Sequence, residues 1–134
     1  MNKYIELAIK EAKKSLITDD VPVGAIIVEK GKILAKAHNM KEKNKSAISH
    51  AEIIAVEKAC KKKKNWYLND CEIYITMEPC EMCMGAIKEA RIKKVIYATK
   101  NIKTNRLKLP IVEKIDDKNK SQNLLKYFFK NKRK

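Results

Sequence analysis

Two cysteines three residues apart, Cys80 and Cys83, stand where one hydrophobic period hands over to another, and that handover is the tightest constraint in the chain. Before them, residues 71–76 alternate, with Ile73 and Ile75 apolar, the period of a strand; after them, Met82, Ala86, Ile87 and Ala90 recur at helical spacing. The pair therefore opens a helix that follows a strand. Residues three apart share one helix face, and the free amides and positive dipole end of a helix start favour thiolate over thiol. Both sulfurs are thus set up to bind a soft or borderline cation.

A catalytic zinc takes three protein ligands and leaves the fourth position to water. The chain has two histidines, and His50 opens the segment His50-Ala51-Glu52-Ile53-Ile54-Ala55-Val56, which reads as the first turn of a second helix. His50 is the candidate third ligand. Two positions on, Glu52 offers a carboxylate that is not needed as a ligand, which is what activating a water requires. Cys-x-x-Cys alone also fits a redox pair at a helix start, but the His-x-Glu segment sharply reduces that reading. His38, at a strand end beside a polar loop, is expected to be solvated, and Cys60 and Cys71 to be buried or half-buried structural thiols.

A length of 134 residues is room for one domain with a real core, taken as 1–134 with a loose basic tail at 130–134, and no stretch is apolar for long enough to cross a bilayer. The N-terminal residues enter an amphipathic pattern directly, without the apolar centre of a signal peptide, so a cytoplasmic protein is expected. Four cysteines then point to metal binding or catalysis rather than disulfides. The net charge of +15 implies attraction to a polyanion such as RNA. Of the basic residues 28 are Lys and three are Arg, so a coding bias toward Lys, Ile and Asn shares the credit for that charge.

Taken in order, residues 2–18 carry Ile5, Ala8, Ile9, Ala12 and Leu16 at helical spacing. Residues 25–28 and 33–37 read as a hairpin turned at 29–32, and 39–49 as a lysine-rich loop. The helix that begins near His50 is expected to bury Ile53, Ile54, Val56 and Ala59. The strand at 71–76, the helix after Cys80 and a strand at 95–98 form a βαβ unit with parallel strands. Residues 100–110 read as irregular, 111–115 as a short edge strand and 121–130 as a last helix. In that helix the adjacent Phe128 and Phe129 face different ways, so at most one of them reaches a ligand.

His50-Ala51-Glu52 and Pro79-Cys80-Glu81-Met82-Cys83 together resemble the signature of the zinc nucleobase deaminases. With Val21-Pro22-Val23-Gly24-Ala25, Asn39 and the run from Thr76 through Ala86, most of residues 1–100 is similar to the bacterial tRNA-specific adenosine deaminases. That resemblance implies a three-layer α/β/α sandwich of the cytidine deaminase type, with a five-stranded mixed sheet and helices on both faces. It implies a cytoplasmic homodimer that converts the wobble adenosine of a tRNA anticodon stem-loop to inosine, with one zinc per subunit. Carried over by position, His50, Cys80 and Cys83 hold the zinc, Glu52 shuttles protons, and Asn39 and Val23 line the pocket for the flipped base. The chain departs from the family after Lys103-Thr104, where residues 105–110 are short and lack glycine. Two other functions fit the same motifs: deamination of guanine or another free base or nucleoside, and a catalytically silent, zinc-stabilised RNA-binding module. Retention of Glu52 argues against the second, because a structural zinc has no use for it and tends to be closed by four protein ligands.

Overall fold

The computed structural model describes residues 2–100 and 111–132, so most of the stretch expected to be irregular and the end of the basic tail lie outside the described residues. The first helix, α1 (Lys3–Ser15), starts where the Asn2 carboxamide accepts hydrogen bonds from the amides of Tyr4 and Ile5 at 2.8 and 3.2 Å. A 3-10 turn, Leu16–Thr18, closes it. Strands β1 (Gly24–Glu29) and β2 (Lys32–His38) form the expected hairpin through Lys30 and Gly31, whose φ values of 48° and 81° make the two-residue primed turn that suits twisted strands. The segment expected to be a loop holds one short helix, α2 (Lys41–Asn44). Then come α3 (Ala51–Lys63), β3 (Cys71–Met77), α4 (Glu81–Glu89), β4 (Lys94–Thr99), β5 (Ile111–Lys114) and α5 (Lys120–Lys132). The basic tail is helical as far as Lys132 rather than loose.

The five strands make one mixed sheet in the order β2-β1-β3-β4-β5. β1 runs antiparallel to β2 and β3, whereas β3, β4 and β5 are parallel, as the βαβ reading requires. Alternation sorts the side chains onto two faces. Ala25, Ile27, Ile73, Ile75 and Val95 pack with residues of α3 and α4, while Ile26, Val28, Tyr74, Ile96 and Ala98 pack with Ile5 and Ala8 of α1. α5 lies against α1 and β4 and buries Phe128, leaving Phe129 outside. The expected sandwich, with helices on both faces of a five-stranded mixed sheet, is the observed fold. A bulge between Ile27 and Val28 shifts the β2 register, so that the adjacent Leu34 and Ala35 are both buried in one core.

Two helices bury different residues from those their periodicity suggested. In α3 the buried stripe is Ala51, Glu52, Ala55 and Ala59, and Ile53, Ile54 and Val56 are only partly covered. Small side chains let this helix sit close on the sheet, leaving the branched residues at the margins of the contact. In α4 the buried set is Cys83, Met84 and Ile87, and Met82 is exposed. The same closeness governs α1. A Cβ built on Gly24 would lie 1.9 Å from the Ala8 carbonyl oxygen and 2.7 Å from the Ala12 nitrogen, so only glycine lets the helix backbone rest there.

His38 is not the solvated histidine expected: its Nδ1 is hydrogen-bonded at 3.2 Å to Oε1 of the buried Glu11, which also accepts from Lys14 at 2.7 Å through Oε2. This ties α1 to the end of β2, immediately before Asn39. Burial pushes the Glu11 carboxyl up, but the hydrogen bonds and charges of Lys14 and His38 outweigh it and hold the pKa below the usual value. A lowered carboxyl pKa stabilises the fold above the unfolded-state value and loses that contribution as pH falls through the folded-state one. The urea midpoint of Glu11→Gln is therefore expected below that of the parent at pH 7, with the gap narrowing below about pH 4.5. Gly24→Ala should cost about 3 kcal/mol or more, since α1 must lift off the sheet; an unchanged urea midpoint would contradict this packing.

Candidate active site

α3 and α4 both begin on one point beside the C-terminal end of β3, and at both starts the capping residue is of an unusual type. N-cap positions favour Ser, Thr, Asp and Asn, whose oxygens satisfy the free helix amides. Here His50 caps α3 and Cys80 caps α4, and neither side chain makes a capping hydrogen bond. Asn39 takes over at α3, its Oδ1 accepting from the Ala51 amide at 2.8 Å. The imidazole and the thiol are left free to face each other.

His50 Nδ1 lies 3.9 Å from Cys80 Sγ and 3.4 Å from Cys83 Sγ, and the three donor atoms all fall within 4.8 Å of one another. A nitrogen and a sulfur on a tetrahedral zinc are roughly 3.5 Å apart, given bonds of about 2.0 and 2.3 Å. The spacing fits. Burial, aided by the charge of Lys41, keeps His50 below its ordinary pKa and so in the neutral form a metal requires. The Cys83 thiol behaves differently from the expectation set by its place in a helix start. Burial, with Glu52 and Cys80 nearby, pushes its pKa far above the usual range, so a cation is needed to draw out the thiolate.

Glu52 lies in the first turn of α3, 4% exposed, and its Oε1 has no hydrogen-bond partner. An orphaned buried carboxylate oxygen beside three metal donors is costly unless something arrives to satisfy it. Burial raises its pKa to about 7, with its own backbone amide and the Cys83 thiol pulling the other way. A carboxyl near neutrality can both accept and give up a proton.

A cavity of about 180 Å³ opens over this group, lined by Val21, Val23, Asn39, Lys41, His50, Glu52, Met77, Glu78 and Cys80. All six candidate residues are therefore at one place: five line the cavity, and Cys83 lies buried in contact with His50. The site stands at the carboxyl end of the parallel strand β3, where open α/β sheets hold ligands. Sequence reasoning missed Val21, Lys41, Met77 and Glu78 as pocket walls. Met77 and Glu78 were findable, as the last strand residue and its successor before Pro79; Lys41 is one lysine in a lysine-rich segment and carries no pattern of its own.

The fold and the site define a deaminase: the chain belongs to the MafB19-like deaminase family, whose model matches residues 1–133. Within it, the chain is 45% identical over 95 residues to a tRNA-specific adenosine deaminase of Aquifex aeolicus, covering 71% of this chain and 63% of that protein. It is 44% identical over 94 residues to the enzyme of the same description from Bacillus subtilis, covering 70% and 58%. The chain thus spans about three fifths of the length of these relatives. A solved structure from a study of A-to-I editing by tRNA:A34 deaminases at the wobble position superposes with a TM-score of 0.86 and 29% identity, over 92% of this chain and 99% of that one. Guanine deaminase from Bacillus subtilis superposes at 0.70 with 38% identity, over 75% and 66%. The resemblance read from the motifs is borne out.

If His50, Cys80 and Cys83 are the metal ligands, Cys83→Ala should lose bound zinc, while Cys60→Ala, which alters a thiol outside the cluster, should retain it; metal analysis of both purified variants decides. Full zinc in Cys83→Ala would mean the ligands are wrongly assigned.

Proposed function

We propose that this chain catalyses the hydrolytic deamination of adenosine to inosine at the wobble position of a tRNA anticodon, as a single-domain cytoplasmic protein acting as a homodimer. His50, Cys80 and Cys83 would hold one zinc per chain. The chemistry zinc supplies when bound is to bring a water's pKa down to near 7. Glu52 accepts the proton of the water that attacks the ring carbon bearing the amino group. It delivers that proton to the adjacent ring nitrogen, then takes the second proton from the oxygen now bonded to the ring carbon and passes it to the amino group, which leaves as ammonia as the carbonyl of inosine forms. Val23 and Asn39 wall the cavity in which the flipped base sits.

The observation that carries this reading is the unpartnered oxygen of the buried Glu52 at the floor of a cavity beside three metal donors, in a chain whose relatives are named tRNA-specific adenosine deaminases. A structural zinc site has no need of such a carboxylate. A base stacked in a duplex cannot enter this cavity, whereas a loop nucleotide is already partly unstacked and costs little to flip. The charge of +15 favours a polyanionic substrate. Among the described residues no helix is long and apolar enough to cross a membrane.

Glu52→Gln keeps the shape and removes the proton shuttle. The variant should hold zinc and lose turnover by more than the roughly hundred-fold to ten-thousand-fold of ordinary general acid-base terms, because one group serves every transfer. Near-normal turnover would end this mechanism. For the substrate, the wild-type protein should form inosine in an anticodon stem-loop with adenosine at the wobble position and release no ammonia from guanine. Ammonia from guanine with no inosine in the RNA would transfer the assignment to the guanine-deaminase reading.

A further inference from the structure

Among the described residues Lys41 is the one lysine or arginine that lines the cavity, and it is exposed, at the rim rather than the floor. Among the described residues its ammonium has no carboxylate partner, a state it shares with most described lysines, so that its place at the cavity is what sets it apart. Its backbone, by contrast, is firmly placed. On one side the Met40 amide donates to the Ser49 carbonyl at 2.9 Å and the Asn39 amide to the Val23 carbonyl at 3.0 Å. On the other, the Glu42 amide donates to the carboxylate of the buried Asp20 at 2.7 Å, and Thr18 donates to the second oxygen of that carboxylate at 2.6 Å. The Ser46 amide closes the turn on the Lys41 carbonyl at 3.1 Å. A helix of four residues cannot hold itself in place, and these buried polar groups hold it.

We propose that Lys41 is a substrate-positioning residue that grips the phosphodiester next to the nucleotide whose base enters the cavity. The assignment rests on the RNA reading given above, and the chemistry at the rim fits it. A flipped nucleotide brings its own flanking phosphates to the cavity mouth, and an unpaired ammonium there meets an anion without breaking an ion pair. A free base has no phosphate to offer it. Lys41 thereby distinguishes a nucleic acid from a base or nucleoside by charge, while the cavity floor carries the chemistry. Asp20 acts through the backbone of the same turn and fixes where the Lys41 side chain leaves it.

The test is direct binding of a fluorescent anticodon stem-loop to the zinc-loaded protein, measured by anisotropy across a range of salt. Lys41→Gln should weaken binding roughly three- to ten-fold and make the slope of log K against log salt shallower by about 0.7, the release from one single-strand phosphate; Lys41→Arg should restore both. Lys88→Gln removes the same charge from the last turn of α4, away from the cavity, and should leave the slope as it was. Equal affinity and slope for Lys41→Gln and the wild type would overturn the assignment. So would an equal loss in Lys88→Gln, which would mean that overall charge alone is felt. Binding is read whether or not inosine forms, so a wild-type protein that binds through Lys41 but makes no inosine would refute the proposed reaction and leave this assignment standing.

Discussion

The meeting of two helix starts at the end of β3 is the constraint on which the rest depends. Each start surrenders its own cap, since His50 and Cys80 turn to each other instead of to the free amides behind them. The loss is made good from elsewhere in the chain at α3, where Asn39 reaches across from the end of β2. Asn39 can do so only because β2 is pinned: its neighbour His38 is tied to Glu11 of α1, and its own carbonyl accepts from the buried Ser15 hydroxyl at 3.0 Å. Thus α1, which contributes nothing to the cavity wall, decides where the wall stands. Its position in turn depends on Gly24, which lets the α1 backbone rest against β1.

A polar cluster of this kind is unfavourable by itself. Cys83 is fully buried, Glu52 nearly so, and one Glu52 oxygen makes no hydrogen bond. The surrounding apolar layers hold it in place: Ala55, Ala59, Ile75, Met84 and Ile87 pack in the same core around it. That arrangement accounts for the small residues on α3. Alanines bring the helix close enough to the sheet for its first turn to reach α4, and larger side chains at those positions would hold the two helix starts apart.

Much of this was legible in the sequence because the functional residues broke local rules in recognisable places. Cys80 and Cys83 stood out as two thiols three residues apart at a helix start, and His50 and Glu52 as a His-x-Glu pair opening a second one. The first strand followed from the apolar run at residues 25–28, the third from alternation at 71–76, and the parallel pairing of β3 with β4 from the helix between them. What the sequence concealed was set by distance between layers. Periodicity alone assigned Ile53, Ile54 and Val56 to the buried face of α3, but the tight approach to the sheet selects its alanines. His38 resembled a loop histidine because its partner Glu11 is 27 residues away on another element. Lys41 was hidden by the abundance of lysine around it.

If His50, Cys80 and Cys83 form a three-ligand metal centre, the bound zinc has a defined shell of donors. X-ray absorption at the zinc edge of the purified protein tests this most directly. It should show two sulfurs at about 2.3 Å and two nitrogen or oxygen atoms at about 2.0–2.1 Å, the fourth position being open to water. Three or four sulfurs would draw Cys60 or Cys71 into a closed structural site and contradict the account, as would a folded protein that binds no zinc.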